Sequence, residues 1–195
     1  MAFCVQLFLK GRRVLVAGGG RLGLRRARQL AREGAAVTVV SPRFLPEFEG
    51  NGWELIQDFY SPVYLDGCFL AAAATGDPKV DQRVVREASA CGVLALAAGT
   101  DEAADLRVLK SGEEGGLLLA CSTGGAFPAL NRPLLEEMKR AAAPFAARLP
   151  LLRQLRQQLL ARGDEASRAL LPRLASLNEE ELRELLAREK GGETK

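Results

Sequence analysis

The 195-residue chain contains no histidine. That removes histidine-based triads, histidine-ligated metal and imidazole acid–base chemistry together. Any proton transfer falls to Asp, Glu, Lys, Tyr, Cys or the substrate itself. Cysteine is sparse, with Cys4, Cys68, Cys91 and Cys121 only. No two of them form a CxxC, so neither a zinc nor a redox motif is supported. The last three lie in or beside the apolar runs 69–74, 93–98 and 117–120 and read as small buried hydrophobes. No apolar run reaches the roughly 18 residues that span a bilayer, so no membrane partner is expected. Residues 1–10 carry no charge ahead of their apolar stretch and no cleavage pattern, so no secretory signal is read and a reducing cytoplasm is the expected compartment. The net charge of +3 is too small a surplus to argue for nucleic acid. What remains, 48% apolar and 26% charged, is the balance of a globular protein with one medium domain or a domain plus an appendage.

Short apolar runs alternate with helical spacing through the first half. Arg13–Ala17 reads as a strand running into Gly18-Gly19-Gly20. Residues 22–33 carry Leu22, Ala27, Leu30 and Ala31 among arginines, a helical spacing stopped by Gly34. Ala36–Val40 is β-branched and reads as a buried strand closed by Ser41-Pro42. Further strands are expected at 53–57, 69–74 and 93–97, with a helix over 80–91. Strand–helix–strand repeats with right-handed crossovers predict an α/β fold: a doubly wound parallel sheet. In the second half, 111–116 reads as a polar, Gly-rich turn and 117–121 as one more strand. Residues 144–189 read as a small helical bundle whose leucine stripes form a core or a dimer face. Asn178, followed by Glu179-Glu180-Glu181, reads as a helix N-cap.

Gly18-Gly19-Gly20-Arg21-Leu22-Gly23 satisfies GxGxxG between a predicted strand and a predicted helix, the context the motif requires. Gly18 permits the tight turn, Gly20 lets the backbone approach a pyrophosphate, and Gly23 lets the helix pack close to the sheet. Free N–H groups at the helix start then face the negative charge. The residue that usually holds the adenosine ribose closes the second strand, where this chain reads Val40-Ser41-Pro42-Arg43 with no acid. Ser41 can bond a ribose hydroxyl, and Arg43 can stack on adenine or pair with a 2′-phosphate, so spacing leaves NAD against NADP open. Thr75 and Gly76, at the end of the fourth strand, are placed to line the cofactor. The bland alternative there is a plain turn, with Asp77 or Pro78 starting the next helix.

Residues 5–20, then Arg25-Arg26, then 34–42, resemble the opening of precorrin-2 dehydrogenases, the siroheme synthase N-terminal-type proteins, some of which are also sirohydrochlorin ferrochelatases. Ala73-Ala74-Thr75, Asp81-Gln82-Arg83-Val84 and the segment 122–130 (Ser-Thr-Gly-Gly-Ala-Phe-Pro-Ala-Leu) continue the resemblance. It implies a Rossmann-like NAD-binding domain over 1–112, a dimerisation segment over 113–143 and a helical C-terminal domain over 144–195, in a homodimer. It implies oxidation of precorrin-2 to sirohydrochlorin with NAD as hydride acceptor. Arg21, Leu22, Pro42 and Arg43 fall where the family contacts NAD. Arg25, Arg26, Arg83, Arg107 and Arg132 are available to pair with the carboxylates of the tetrapyrrole.

The chain departs from that pattern at one place. An ungapped count puts Gly99 where the family has an Asp implicated in both the dehydrogenase and the chelatase chemistry. Asp101, two residues on, is the candidate base, and Asp105 is a weaker one. The expected activity is therefore NAD-dependent dehydrogenation, with iron insertion doubtful and no metal ligands assigned. Two alternatives remain: a catalytically weakened NAD- or tetrapyrrole-binding partner of a tetrapyrrole pathway enzyme, and a generic nucleotide-sensing module.

Overall fold

The computed structural model describes residues 4–97 and 103–191. The chain divides into two compact units, Met1–Val108 and Leu109–Lys195.

The first unit is a parallel five-stranded sheet in the order β3-β2-β1-β4-β5. Its strands are β1 (Arg13–Ala17), β2 (Ala36–Val40), β3 (Glu54–Ile56), β4 (Leu70–Ala73) and β5 (Leu94–Leu96). Helix α1 (Arg21–Arg32) links β1 to β2, and α2 (Pro78–Ala90) links β4 to β5. Side chains alternate along each strand, so β1 feeds two cores at once. Val14 and Val16 pack with Leu24, Ala27 and Leu30 of α1. Leu15 and Ala17 pack with Val84, Val85 and Ala88 of α2. A strand covered on both faces must be apolar throughout, and Val14 to Ala17 are all fully buried. With β2 and β3 on one side of β1 and β4 and β5 on the other, the order in which strands are added reverses between β1 and β4. That reversal is the switch point at which ligands bind open α/β sheets.

Two details trim the elements. Asp77 caps α2 by accepting from the Lys79 amide at 2.9 Å, so with Pro78 at the first position the helix starts before residue 80. Between β3 and β4 there is no α-helix, only a 3-10 turn, Pro62–Leu65.

The second unit contains a hairpin of β6 (Lys110–Glu114) and β7 (Leu117–Cys121), which pair antiparallel. The expected turn over 111–116 is thus mostly strand; only Gly115 and Gly116 turn, at φ of 51° and 86°. Two positive-φ residues make the tight connection that matches the twist of an antiparallel pair. The helical region also begins earlier than residue 144, because α3 spans Asn131–Arg162 with Pro144 and Pro150 inside it. Proline weakens a helix interior, but tertiary packing holds this one on both sides of the prolines. Leu135 and Ala146 are buried where α3 packs on β6 and β7, and Leu155 and Leu159 are buried with Leu174, Leu182 and Leu186. Those last three come from α4 (Glu165–Leu174) and α5 (Glu179–Gly191). Asn178 does cap α5: its Oδ1 accepts from the Glu181 amide at 3.0 Å while Glu181 Oε2 accepts from the Asn178 amide at 2.7 Å.

The cysteines are not the buried hydrophobes expected. Cys4 and Cys91 are exposed, Cys68 and Cys121 half-buried, and all are free. Cys91 caps the end of α2, and Cys68, just before β4, packs half-buried against the core that holds Leu15 and Val84.

Candidate functional site

The glycine turn sits where β1 ends at the switch point, and its glycines are required for different reasons. Gly18 has φ of 127°, and a Cβ on it would lie 2.2 Å from the Ala74 carbonyl oxygen at the end of β4. A Cβ on Gly23 would lie 1.8 Å from the Gly18 carbonyl oxygen, so α1 rests directly on the turn. A Cβ on Gly20 would meet no protein atom within 4 Å. That open face is the approach a bound diphosphate needs.

Gly19 fills a position the motif leaves free, and the sequence reading gave it no role. A Cβ on it would lie 2.2 Å from the Arg43 carbonyl oxygen and 2.9 Å from both Phe44 Cδ1 and Ser41 Cβ. The Leu45 amide also donates to the Gly19 carbonyl at 3.0 Å. The loop after β2 is therefore clamped onto the glycine turn. The signal was present as a third consecutive glycine where GxGxxG asks for two.

At the start of α1, no side chain caps the helix and its first turn holds no acid. The Leu24 amide donates to the Gly20 carbonyl, closing the first helical bond at 2.9 Å. The amides before it have no intrahelical acceptor, and the positive end of the helix dipole is unneutralised. Arg21 is exposed and Leu22 half-buried at this end.

Ser41 is buried, and its hydroxyl donates to the Arg43 carbonyl at 2.7 Å. Its proton is spent on shaping the loop, which corrects the expectation that it could donate to a ribose; only its oxygen remains as an acceptor. Pro42 and Arg43 are exposed beside it. At the end of β4, the Thr75 amide and hydroxyl donate to Asp81 Oδ1 at 2.8 and 2.7 Å. Gly76 follows at φ of 83° with open space around it. Asp81, one turn into α2, thus holds the turn that carries Thr75 and Gly76.

The other sequence candidates divide. Asp101 and Gly99 lie outside the described residues. Asp105 is structural: its Oδ2 accepts from the Ala95 amide at 2.9 Å and the Ser89 hydroxyl at 3.3 Å, tying the chain beside Leu106 to β5. Arg26, one of the arginines available to pair with substrate carboxylates, is buried, donating to Gln29 at 3.0 Å. It lies three residues after Gly23 and four before Leu30, both inward-facing. Burial, with Arg25 beside it, pushes its guanidinium down from its ordinary value, and that burial is what keeps the side chain from a substrate. Arg83 is paired with Glu87 at 2.8 Å and lies over the Tyr60 ring at 5.7 Å. Tyr60 is itself buried in the core, and burial and then Glu87 push its phenol well up. Arg25, Arg107 and Arg132 are exposed. Among the described residues, no group of three His, Cys, Asp or Glu could hold a metal ion, and no helix is long and apolar enough to cross a membrane.

Comparison with known proteins places this geometry. A family model described as NAD(P)-binding matches residues 5–109. The siroheme synthase of Azotobacter vinelandii is 39% identical over 128 residues, 64% of this chain and 28% of its own length. That of Chromobacterium violaceum is 35% identical over 136 residues, 68% of this chain and 29% of its own length. The chain thus spans less than a third of those relatives. The solved structure of SirC, precorrin-2 dehydrogenase, is 26% identical, with a TM-score of 0.74 over 97% of this chain and 100% of that one.

Proposed function

Because the chain belongs to the NAD(P)-binding family of precorrin-2 dehydrogenases and siroheme synthase N-terminal regions, we propose that it oxidises precorrin-2 to sirohydrochlorin, with NAD as the hydride acceptor. The observation that carries this reading is the glycine turn. Gly18 packs against the Ala74 carbonyl at the end of β4, its own carbonyl packs against Gly23 of α1, and the turn lies open at Gly20 beside an uncapped helix end. The residues present fit a dinucleotide: Gly18, Gly20, Arg21, Leu22 and Gly23 would hold the diphosphate. Ser41, Pro42 and Arg43 would border the adenosine, and Thr75 and Gly76 the nicotinamide half.

Bound NAD supplies the ring that accepts hydride. The balance is two electrons and one proton to NAD as hydride, and one proton to a base. This chain's own part is to fix the cofactor rigidly against the substrate edge, a contribution that does not depend on a strong base. We assign the proton to Asp101, the carboxylate next in sequence to Gly99. Iron insertion stands outside the proposal: it demands that the macrocycle lose further protons and so leans harder on a carboxylate, and the family's carboxylate position is Gly99 here, with no histidine to replace it. We further propose a homodimer formed through the second unit, where Leu118 is 61%, Phe127 63% and Leu130 49% exposed, and the cytoplasm as the compartment.

Single-turnover oxidation of precorrin-2 with NAD, followed by the sirohydrochlorin spectrum, tests the assignment. The parent is expected to turn over and Asp101→Ala to slow by about 100-fold, the usual worth of a positioned base. An unchanged Asp101→Ala removes the base assignment. Tight NAD or sirohydrochlorin binding with no oxidation selects the binding-partner reading that Gly99 favours.

A further inference from the structure

We propose that the outward face of α1 is a docking surface for an acidic helix of another protein. The proposal stands on the helix itself and does not depend on which cofactor or substrate the first unit takes.

The exposed residues of α1 are Arg21, Arg25, Arg28 and Arg32, and every other residue of the helix is half-buried or buried. At about 100° per residue the four fall within about 60° of one another, on the face opposite the buried Ala27 and Leu30. At a rise of about 1.5 Å per residue they form a row about 16 Å long. Arg21 stands at the glycine turn, and the other three lead away from it. None of the four has an ion-pair partner among the described residues. Residues 1–32 hold eight Lys and Arg and no Asp or Glu, in a chain whose net charge is +3. The remainder of the chain is therefore net negative, and the positive charge is gathered at this end.

Elsewhere the exposed charges of this chain's helices are arranged in opposite pairs. Helix α2 pairs Arg83 with Glu87, α3 pairs Lys139 with Glu136, and α5 pairs Arg183 with Glu179 and Arg188 with Glu184. Opposite charges three or four residues apart support a helix, and like charges at that spacing weaken it. In α1 the neighbours 21–25, 25–28 and 28–32 are all like pairs, and Arg21 adds positive charge to the positive end of the dipole. The row therefore disfavours its own helix until an anion lies along it.

The shape and extent of the row identify the anion as a short protein surface. All four positions are arginine, whose planar fork meets a carboxylate with two parallel bonds and is lightly hydrated for its charge. Side chains at i, i+4, i+7 and i+11 of a second helix share the rise and the face of this row, so glutamates there match it charge for charge. A long polyanion would run past the 16 Å or so of the row and meet the net negative remainder. No aromatic residue lies in α1 to stack a base. A bilayer surface is excluded on another ground: the apolar side of α1, with Leu24, Ala27 and Leu30, is spent on the core and has nothing to insert.

The test is binding of two labelled, alanine-based peptide helices of equal composition to the full chain, followed by fluorescence anisotropy. One carries glutamates at i, i+4, i+7 and i+11; the other spreads the same four glutamates around the helix. The patterned peptide is expected to bind about tenfold tighter or more, and to weaken as salt rises, because exposed charge pairs are screened. Arg28→Glu combined with Arg32→Glu alters two exposed sites outside the glycine turn, so it should keep the parent's circular dichroism and melting temperature while weakening the patterned peptide by about tenfold or more. Arg28→Lys with Arg32→Lys should recover that loss only in part, since an ammonium makes no bidentate contact. Absence of patterned-peptide binding at low salt, equal binding of the two peptides, or an affinity unmoved by the charge reversal overturns the proposal. So does a short DNA duplex or a phosphatidylserine vesicle that binds tighter than the patterned peptide. Self-association of the chain that the charge reversal abolishes overturns it as well, because the occupant is then a second copy.

Discussion

Alanine at Gly19 and at Gly20 should fail in opposite ways. Gly19 has no positive φ, so alanine is allowed there by its backbone and the damage is purely steric. The new methyl would sit 2.2 Å from the Arg43 carbonyl oxygen and 2.9 Å from Phe44 and Ser41, separations no carbon tolerates. The loop after β2 must retreat, straining the Leu45-to-Gly19 hydrogen bond and loosening Phe44 from its edge-on contact with Phe48. Overpacking of this kind costs about 1–3 kcal/mol. On a unit the size of Met1–Val108, each kcal/mol is worth roughly 4–8 °C, so Gly19→Ala should melt about 10 °C below the parent. Gly20 is extended, at φ −87° and ψ −173°, and a methyl there meets no protein atom within 4 Å. Gly20→Ala should therefore melt within a few degrees of the parent, a change of about 0.5 kcal/mol at most. Its NADH affinity should nevertheless fall by about tenfold or more, because the methyl occupies the face the diphosphate approaches. Thermal melts and NADH titration of the two variants decide the matter. A Gly20→Ala chain that binds NADH like the parent refutes the placement of the diphosphate. A Gly19→Ala chain that melts like the parent refutes the clamp.

Asp81→Ala removes the acceptor of two hydrogen bonds from Thr75, at a cost of about 1–2 kcal/mol for partly solvated charge-assisted bonds. It should also weaken NADH binding, whereas Asp81→Asn, which keeps an oxygen at Oδ1, should recover most of both; melts and titration of the pair separate the acceptor from the charge. In the second unit, Asp164 caps α4, its carboxylate bonding the Ser167 amide at 2.6 Å and hydroxyl at 3.1 Å. Those bonds hold its carboxyl below the ordinary value of 3.8. A carboxyl depressed in the folded state stabilises above its unfolded pKa and loses that contribution as pH falls through its folded one. The melting gap between parent and Asp164→Ala should thus be full at pH 7 and close below pH 4; a gap that is constant with pH removes the cap from the account.

The sheet was legible because burial on both faces leaves a direct trace. Arg13–Ala17 and Ala36–Val40 were read with the bounds the strands have, as continuous apolar runs beside Gly and Pro signals. Strand β6 left no such trace. Lys110-Ser111-Gly112-Glu113-Glu114 is polar on both faces and is a strand only because β7 pairs with it, a long-range cause invisible to local pattern. The start of α3 was missed because the bundle was read from Pro144, although the helical composition begins at Pro133 and the helix runs through Pro144 and Pro150. Pro133 sits in the first turn, where a missing N–H costs nothing, and the other two lie in a helix held by packing on either side. In the site, Gly18, Gly20 and Gly23 followed from the motif. The brace by Asp81 did not, because a carboxylate in a first helical turn reads equally well as a dipole partner.

These origins separate the site's two tasks. The cradle is an outcome of folding: Gly18 must clear Ala74, Gly19 must clear Arg43, and Gly23 must clear Gly18 itself. Backbone meets backbone at each of these places, so a sequence that builds this sheet builds the cradle with it. Proton transfer has no such support. On the reading proposed above it depends on one side chain, and residue 99 is glycine where the resemblance puts an acid. A chain can therefore keep the cofactor geometry intact while its acid–base chemistry shifts by two residues to Asp101. In that case Asp101→Ala lowers the oxidation rate and leaves NADH affinity unchanged, whereas Gly20→Ala lowers the affinity first.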